Sequence, residues 1–373
     1  MDMYLRFNAQ EAKIASELKD KIPSYIIDGP NLEYYNQSFS QLLIDSKKTF
    51  IIEPHIFDIF SEKKSHAKYL ARLKINDEIY KLTNDNKSRR QFVIETLQYQ
   101  KNRVNEVISS DPLEDVNIKV VPNFLIAPYF RVSNSKDPNL DINIKMINDA
   151  QEAEPKSRIY AGLMVTKDVL IESKELVKIS KRILDTNPNG ICFSVLEFDE
   201  YSIAEEYLVG YRKLTELLKE RKNRVLALYG GFFNLLLNDT VDAIAHGADS
   251  GDKIKFISKK SGGGKIQIRR YIQKLRKRFS GAELDYLSQI APELLNCSCD
   301  YCKGNYKDNG STKRKNLIKH YLTHRIDEIK SVNNGHSFIK EIEDSYQLYA
   351  EKMKYAINLK YLNRWSTSLK TKI

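Results

Sequence analysis

The sequence predicts an α/β fold: a (β/α)8 TIM-like barrel with a small zinc-binding subdomain inserted before the last helix. Three observations carry that expectation. Short apolar runs alternate with longer segments of helical periodicity, the pattern of a parallel sheet covered by helices. About 280 residues precede a cysteine cluster, enough for a closed barrel. Three of the chain's four cysteines then fall within six positions, 297–302. An open doubly wound sheet is the alternative, but no G-x-G-x-x-G follows the early apolar runs.

The predicted strands are, in order, Phe50–Glu53, Ile118–Val121, Ile159–Val165, Ile191–Phe198, Val225–Tyr229 and Val241–Ala245. Each is a bounded apolar run of strand length. Helical periodicity marks Ser88–Ile108, Lys167–Leu184 and Ile203–Glu220. Arg131–Asp141 reads as a polar loop, and Asn187-Pro188-Asn189-Gly190 as a tight helix-to-strand turn. Asp308–Ser311 reads as a loop inside the cysteine region, and Ser337–Leu362 as one long final helix. The expected organisation is a barrel over 1–280, a metal subdomain over 281–332, and a helix over 333–373 that returns to the barrel.

Composition bounds the function. The 373 residues are 42% hydrophobic and 29% charged, ordinary for a globular protein. No apolar run reaches the roughly 20 residues that span a bilayer. Met1-Asp2-Met3-Tyr4 does not open a signal peptide. Clustered rather than paired cysteines argue for a reducing, cytoplasmic setting and no membrane. Cys192, in an apolar run, reads as a small core residue.

The net charge of +11 favours a polyanionic partner. From Lys253 to Arg278 there are eleven Lys or Arg and no acid. Lys259, Lys260, Lys265, Arg269, Arg270, Lys274, Arg276, Lys277 and Arg278 therefore read as a phosphate-backbone footprint on nucleic acid.

Cys297, Cys299 and Cys302 form Cys-x-Cys-x-x-Cys, and His324 lies downstream. Three thiolates and one imidazole complete a closed tetrahedral site for structural Zn2+, with no open position for chemistry. His320 lies four residues before His324 and shares its face of a helix. Only one of the two is needed for a four-ligand site.

In a barrel, chemistry sits at the C-terminal ends of strands. The residues there are Glu53-Pro54-His55, the stretch Glu197–Glu200, Gly230-Gly231, and His246-Gly247-Ala248-Asp249. Paired carboxylates from different strands can divide nucleophilic and acid/base work. Glu53 with Asp249, or with Asp242, is such a pair. Gly230 and Gly231 remove side chains where a flat base could approach, and His246 stands beside them.

Together these segments resemble the tRNA-guanine transglycosylases and their DNA-modifying relatives. The resemblance spans roughly residues 50–360, and its specific part is Cys297, Cys299, Cys302 and His324, preceded by Pro292-Glu293-Leu294-Leu295. Arg224–Phe232 with Val241–Ala245 is similar to the family's late strand pair. Glu53–Phe60 is similar to its acid-to-Phe segment. The resemblance implies exchange of guanine for a 7-deazaguanine base in tRNA or DNA by double displacement. It implies Glu53 as the acid/base, and it places Ala245 where the family has its nucleophilic Asp. His55-Ile56 stands where the family has Gly-Gly. Either the nucleophile has moved to Asp249 or Asp242, or the chain is a degenerate relative that binds nucleic acid or serves as a partner subunit or homodimer.

Overall fold

A computed structural model describes residues 1–56, 64–73, 85–109, 120–248, 269–302 and 311–372. Nine strands form one parallel sheet: β1 (Asp2–Arg6), β2 (Ser24–Asp28), β3 (Thr49–Glu53), β4 (Leu125–Ile126), β5 (Arg131–Val132), β6 (Ile159–Thr166), β7 (Gly190–Leu196), β8 (Arg224–Ala227) and β9 (Ala243–Gly247). The order is β3-β2-β1-β9-β8-β7-β6-β4, and β5 also pairs with β6. β4 and β5 are thus two short pieces of one stave, and eight staves make a nearly closed barrel. β1 pairs with β9, bringing the two ends of the strand sequence together. Across the remaining gap, the Asn123 N–H donates to the Phe50 carbonyl at 2.8 Å.

The helices are α1 (Ala9–Glu17), α2 (Gly29–Tyr34), α3 (Asn36–Ser46), α4 (Lys64–Arg72), α5 (Asn86–Ser109), α6 (Pro138–Ala153), α7 (Ser173–Leu184), α8 (Glu205–Lys219), α9 (Gly281–Ile290), α10 (Ser311–Asn333), α11 (Ile339–Met353) and α12 (Lys360–Lys370). Local chemistry fixes several of their starts. Asn8 and Glu11 form a capping box at α1, and Ser280 and Glu283 another at α9. Asp137 caps α6 just before Pro138. No described helix is long and apolar enough to cross a membrane.

Two apolar layers follow from the two faces of the strands. Leu5, Ile27, Ile52, Leu163 and Phe193 face outward and pack under the helices. Tyr4, Ile26, Ile51, Ile126, Tyr160, Cys192, Leu226 and Ala245 fill the lumen. Cys192 is fully buried there, as a core residue should be. Gln100 of α5 supports the short β4, accepting from the Ile126 N–H and donating to the Ile126 carbonyl, both at 2.8 Å. A side-chain amide thus supplies the bonds a strand neighbour would make.

The structure departs from the sequence expectations at particular places. β1 and β2 are strands the apolar-run reading passed over. The stave predicted at Ile118–Val121 lies instead at Leu125–Ile126, and residues 118 and 119 fall outside the described set. The loop expected over Arg131–Asp141 opens with β5 and closes with the start of α6. The single final helix is two, α11 and α12. Ile357 and Leu359 turn into the core between them, and Asn358 Oδ1 accepts from the Lys360 N–H at 2.9 Å. Asp308–Gly310 lies outside the described residues. The antiparallel hairpin β10 (Arg269–Ile272) and β11 (Lys277–Ser280) is separate from the barrel sheet.

Candidate functional site

The C-terminal mouth of the barrel gathers charged and aromatic side chains around one arginine. Arg6 ends β1, Asp28 ends β2 and Glu53 ends β3, so each points into the lumen at this end of the barrel; Asp28 and Glu53 are in register, and Arg6 is in register with Ile26. Arg6 Nη1 donates to Asp28 Oδ1, and Nη2 donates to Glu53 Oε2 at 2.5 Å and to the Leu228 carbonyl at 3.2 Å. The Tyr229 ring lies under the guanidinium, 4.2 Å from Cζ. Tyr129 OH donates to Glu53 Oε1 at 2.6 Å. Gly162 makes room for that tyrosine, because a Cβ there would sit 1.9 Å from its ring.

His55 completes the group. Its backbone has φ 51°, a left-handed conformation costly for a side chain with a Cβ. That turn brings Nδ1 4.0 Å from Glu53 Oε2 and 3.5 Å from Tyr229 OH. Asn31 Nδ2 donates to Asp28 Oδ2 at 3.1 Å.

Exposure separates the two carboxylates. The Glu53 side chain is fully buried, whereas those of Asp28 and His55 keep 15% and 14% of their surface. Burial alone would raise the Glu53 carboxyl pKa, but the Arg6 charge, then His55 and the Tyr129 hydrogen bond, hold it well below the usual range. Burial likewise disfavours the His55 cation, and the Glu53 and Asp28 carboxylates outweigh it and raise that pKa. Arg6, His55 and Tyr129 thus favour the ionised form of Glu53. Asp28, His55 and Glu53 have ligand atoms within 4.8 Å of one another, a grouping that can hold a cation. Arg6 already fills that electrostatic role between the two carboxylates, so the triad does not fit a metal.

The other expected mouth residues lie elsewhere. Asp242 precedes β9 at the opposite end of the barrel, where Lys219 Nζ reaches it at 2.5 and 2.6 Å. It also accepts from the Val225 N–H at 2.8 Å, as a strand-edge brace. His246 faces outward beside Leu5, bonded through Nδ1 to the Gly230 carbonyl at 2.6 Å and packed on Tyr321 of α10. Side chains alternate along a strand, so its neighbour Ala245 takes the lumen position instead. A Cβ on Gly231 would lie 2.3 Å from the Glu200 carboxylate, which accepts the Phe232 and Phe233 N–H groups at 2.8 and 2.9 Å. Gly231 thus serves a close acid-to-backbone contact, and its bare face is not open to a base. Gly230 is buried, with its N–H on the Ala245 carbonyl at 3.0 Å. Asp249 lies outside the described residues.

The basic run divides in the same way. Arg270 is buried and donates to the Leu295 carbonyl at 2.8 Å and to Cys302 Sγ at 3.7 Å. Arg276 is buried, paired with Glu328 at 2.7 Å and with Glu341, over the Phe232 and Phe338 rings. Neither presents its charge to a phosphate backbone. Lys277 and Arg278 are half-buried against Tyr201 and Tyr321 respectively. Arg269 and Lys274 are exposed, and Lys259, Lys260 and Lys265 lie outside the described residues.

The Cys/His cluster lies between the loop after α9 and one face of α10. Cys297, Cys299, His320 and His324 place ligand atoms within 4.8 Å of one another and could hold a metal ion. His320 Nδ1 is 3.6 Å from Cys297 Sγ and 3.2 Å from Cys299 Sγ, and His324 Nε2 is 3.4 Å from Cys297 Sγ. A tetrahedron with metal–sulfur and metal–nitrogen bonds of about 2.3 and 2.0 Å has edges of roughly 3.3–3.8 Å, close to these values. The four-residue spacing brings both histidines to one face, each within reach of the thiols. Cys302 stands just outside this set, its Sγ 3.4 Å from Cys299 Sγ. His320 is therefore the ligand candidate left out of the sequence assignment. Its Nε2 donates to the Tyr271 carbonyl at 2.8 Å, which leaves Nδ1 as the ligating atom. Burial lowers its pKa to about 4, favouring the neutral form a metal needs, and burial raises the Cys299 thiol.

No protein-family model and no curated protein matches the chain. Among solved structures, it is similar to xylanase 10B from Thermotoga maritima, at 10% identity and a TM-score of 0.40. That likeness covers 65% of this chain and 82% of the other.

Proposed function

We propose that the chain is a glycosyl-transferring enzyme that exchanges a base in nucleic acid, with Asp28 and His55 as the reacting groups. The observation that carries this reading is the convergence of Asp28, Glu53 and His55 on Arg6 at the barrel mouth. Asp28 is the carboxylate that retains exposure, and Arg6 and Asn31 aim it. In this reading it attacks C1′ of the target nucleotide as the bond from C1′ to the base breaks. The leaving base takes its proton from His55. An incoming guanine or 7-deazaguanine gives its proton back to His55 and displaces Asp28, restoring the nucleic acid with a new base. Glu53 keeps His55 charged and Arg6 in place. This assignment stands in for the carboxylate that Ala245 lacks.

The Cys/His cluster supports a structural role. Two thiolates and two imidazoles would fill a tetrahedron around Zn2+ and leave no position for substrate. Metal analysis of the purified chain tests that reading.

The reaction is tested by incubating the protein with labelled guanine or 7-deazaguanine and with tRNA, duplex DNA or single-stranded DNA. Incorporation that Asp28→Asn abolishes supports it. Absence of incorporation into every acceptor, with no covalent adduct trapped, sinks it. A second reading has its own support: Arg6 neutralises both carboxylates while Ala245 faces the lumen. On that reading the chain is a degenerate relative that binds nucleic acid or serves as a partner subunit, and wild type and Asp28→Asn bind equally with no turnover.

A further inference from the structure

Beside the mouth, α2 ends at the exposed Tyr34, and its C-cap Tyr35 is exposed too. Tyr34 and Tyr35 are each 42% exposed, with ring centroids 4.7 Å apart and planes at 75°. The exposed Lys68 places Nζ 5.2 Å from the Tyr34 ring. Isolated exposed tyrosines are ordinary on a protein surface. This pair differs because the helix beneath it is braced. Arg103 holds Glu33 with Nε at 2.8 Å and Nη2 at 3.1 Å. Tyr99 OH donates to the Gly29 carbonyl at 3.1 Å. The buried Tyr69 ring sits so close to Gly29 that a Cβ there would lie 2.7 Å from it. The rings are therefore presented on a fixed base, with little ordering cost on binding.

Their position is set by the chain. α2 begins directly after Asp28, and six helical residues rise about 9 Å. That is about two to three stacked nucleotides at roughly 3.4 Å each. Part-exposed aromatic rings beside a cation, here set edge to face with Lys68 over Tyr34, are the chemistry that holds unpaired bases and their phosphates.

We propose that Tyr34 and Tyr35 form a stacking platform for the unpaired nucleotides flanking the target, with Lys68 meeting a phosphate. The proposal rests on the nucleic-acid reading above and narrows its partner to a single-stranded stretch. Fluorescein-labelled single-stranded DNA and RNA of one sequence, and the matching duplex, would be titrated with the full chain. Tyr34→Ala/Tyr35→Ala is expected to weaken single-strand binding about 10- to 100-fold, while Tyr34→Phe/Tyr35→Phe stays within about twofold. Duplex binding should change by less than about twofold, because paired bases offer no free face. Lys68→Ala should reduce the slope of log Kd against log salt by about 0.7, one single-strand phosphate. Wild-type single-strand affinity in the double Ala variant, or an equal loss on duplex, overturns the platform. Asp28→Asn separates the two claims. If it abolishes exchange while the Ala pair leaves binding unchanged, only the platform fails. If wild type exchanges nothing but needs both rings to bind single strands, only the reaction fails.

Discussion

Arg6 and Glu53 come from strands two places apart in the barrel wall, yet their side chains meet in the mouth at 2.5 Å, almost wholly out of water. Neither charge tolerates that position alone, because removing one partner strands the other in a low-dielectric interior. Arg6→Met should therefore destabilise the fold by about 3–5 kcal/mol, the range for breaking a buried pair. Urea unfolding followed by circular dichroism measures it. A loss below about 1 kcal/mol would show that the pair contributes little to the fold.

The same pair sets a pH dependence. Glu53 has a depressed pKa in the folded state, so its contribution to stability is present above the unfolded carboxyl value. It fades as pH falls through the lowered folded value. His55 has a raised folded pKa, so its contribution is complete below the unfolded imidazole value and is lost as pH rises through the folded one. Stability should thus fall on both sides of a plateau on the acidic side of neutrality. In His55→Gln the alkaline fall should shrink while the acid fall remains. An unchanged alkaline limb in thermal melts across pH would contradict the His55 assignment.

Gly162 should not accept a side chain. Gly162→Ala places a methyl in the Tyr129 ring and pushes its hydroxyl from Glu53, at an overpacking cost of about 1–3 kcal/mol. Combining it with Tyr129→Leu should recover part of the loss, since the smaller side chain vacates the site. Melting temperatures of the two single variants and the double variant decide this, and strict additivity would refute the contact.

The Cys/His cluster predicts that His320→Ala lowers bound metal as severely as Cys299→Ser, and that both loosen the last quarter of the chain. Ligands that come from separate segments need the ion to converge. Metal content by mass spectrometry, with limited proteolysis, reports both effects. Full metal content in His320→Ala would return the fourth position to Cys302.

The residues that were legible in the sequence share a physical reason. Ile159–Val165 and Ile191–Leu196 are buried on both faces, so they read as unbroken apolar runs. The Cys/His cluster was legible from ligand spacing at Cys297, Cys299 and His324, while the exchange of Cys302 for His320 needed the fold. β1 and β2 escaped because they are short and each ends in a lumen-facing charge, Arg6 and Asp28. Those charges interrupt the apolar signal, and they are also the charges that meet at the mouth. Asp242 and His246 misled for a related reason. Strand ends and facing directions depend on register, and a shift of one residue exchanges lumen for outer wall. Within the basic run, composition does not say that Arg270 and Arg276 are turned inward to satisfy Leu295, Cys302, Glu328 and Glu341.

The central claim is that Asp28 carries base exchange at the barrel mouth, and isotope incorporation tests it most directly. Labelled guanine or 7-deazaguanine should enter tRNA or DNA with wild-type protein, and a covalent protein–nucleic acid adduct should be trapped. Asp28→Asn should lose both by at least about 10³-fold while keeping its melting temperature within a few degrees, the scale expected for removing a nucleophile. Undiminished incorporation by Asp28→Asn would contradict the account.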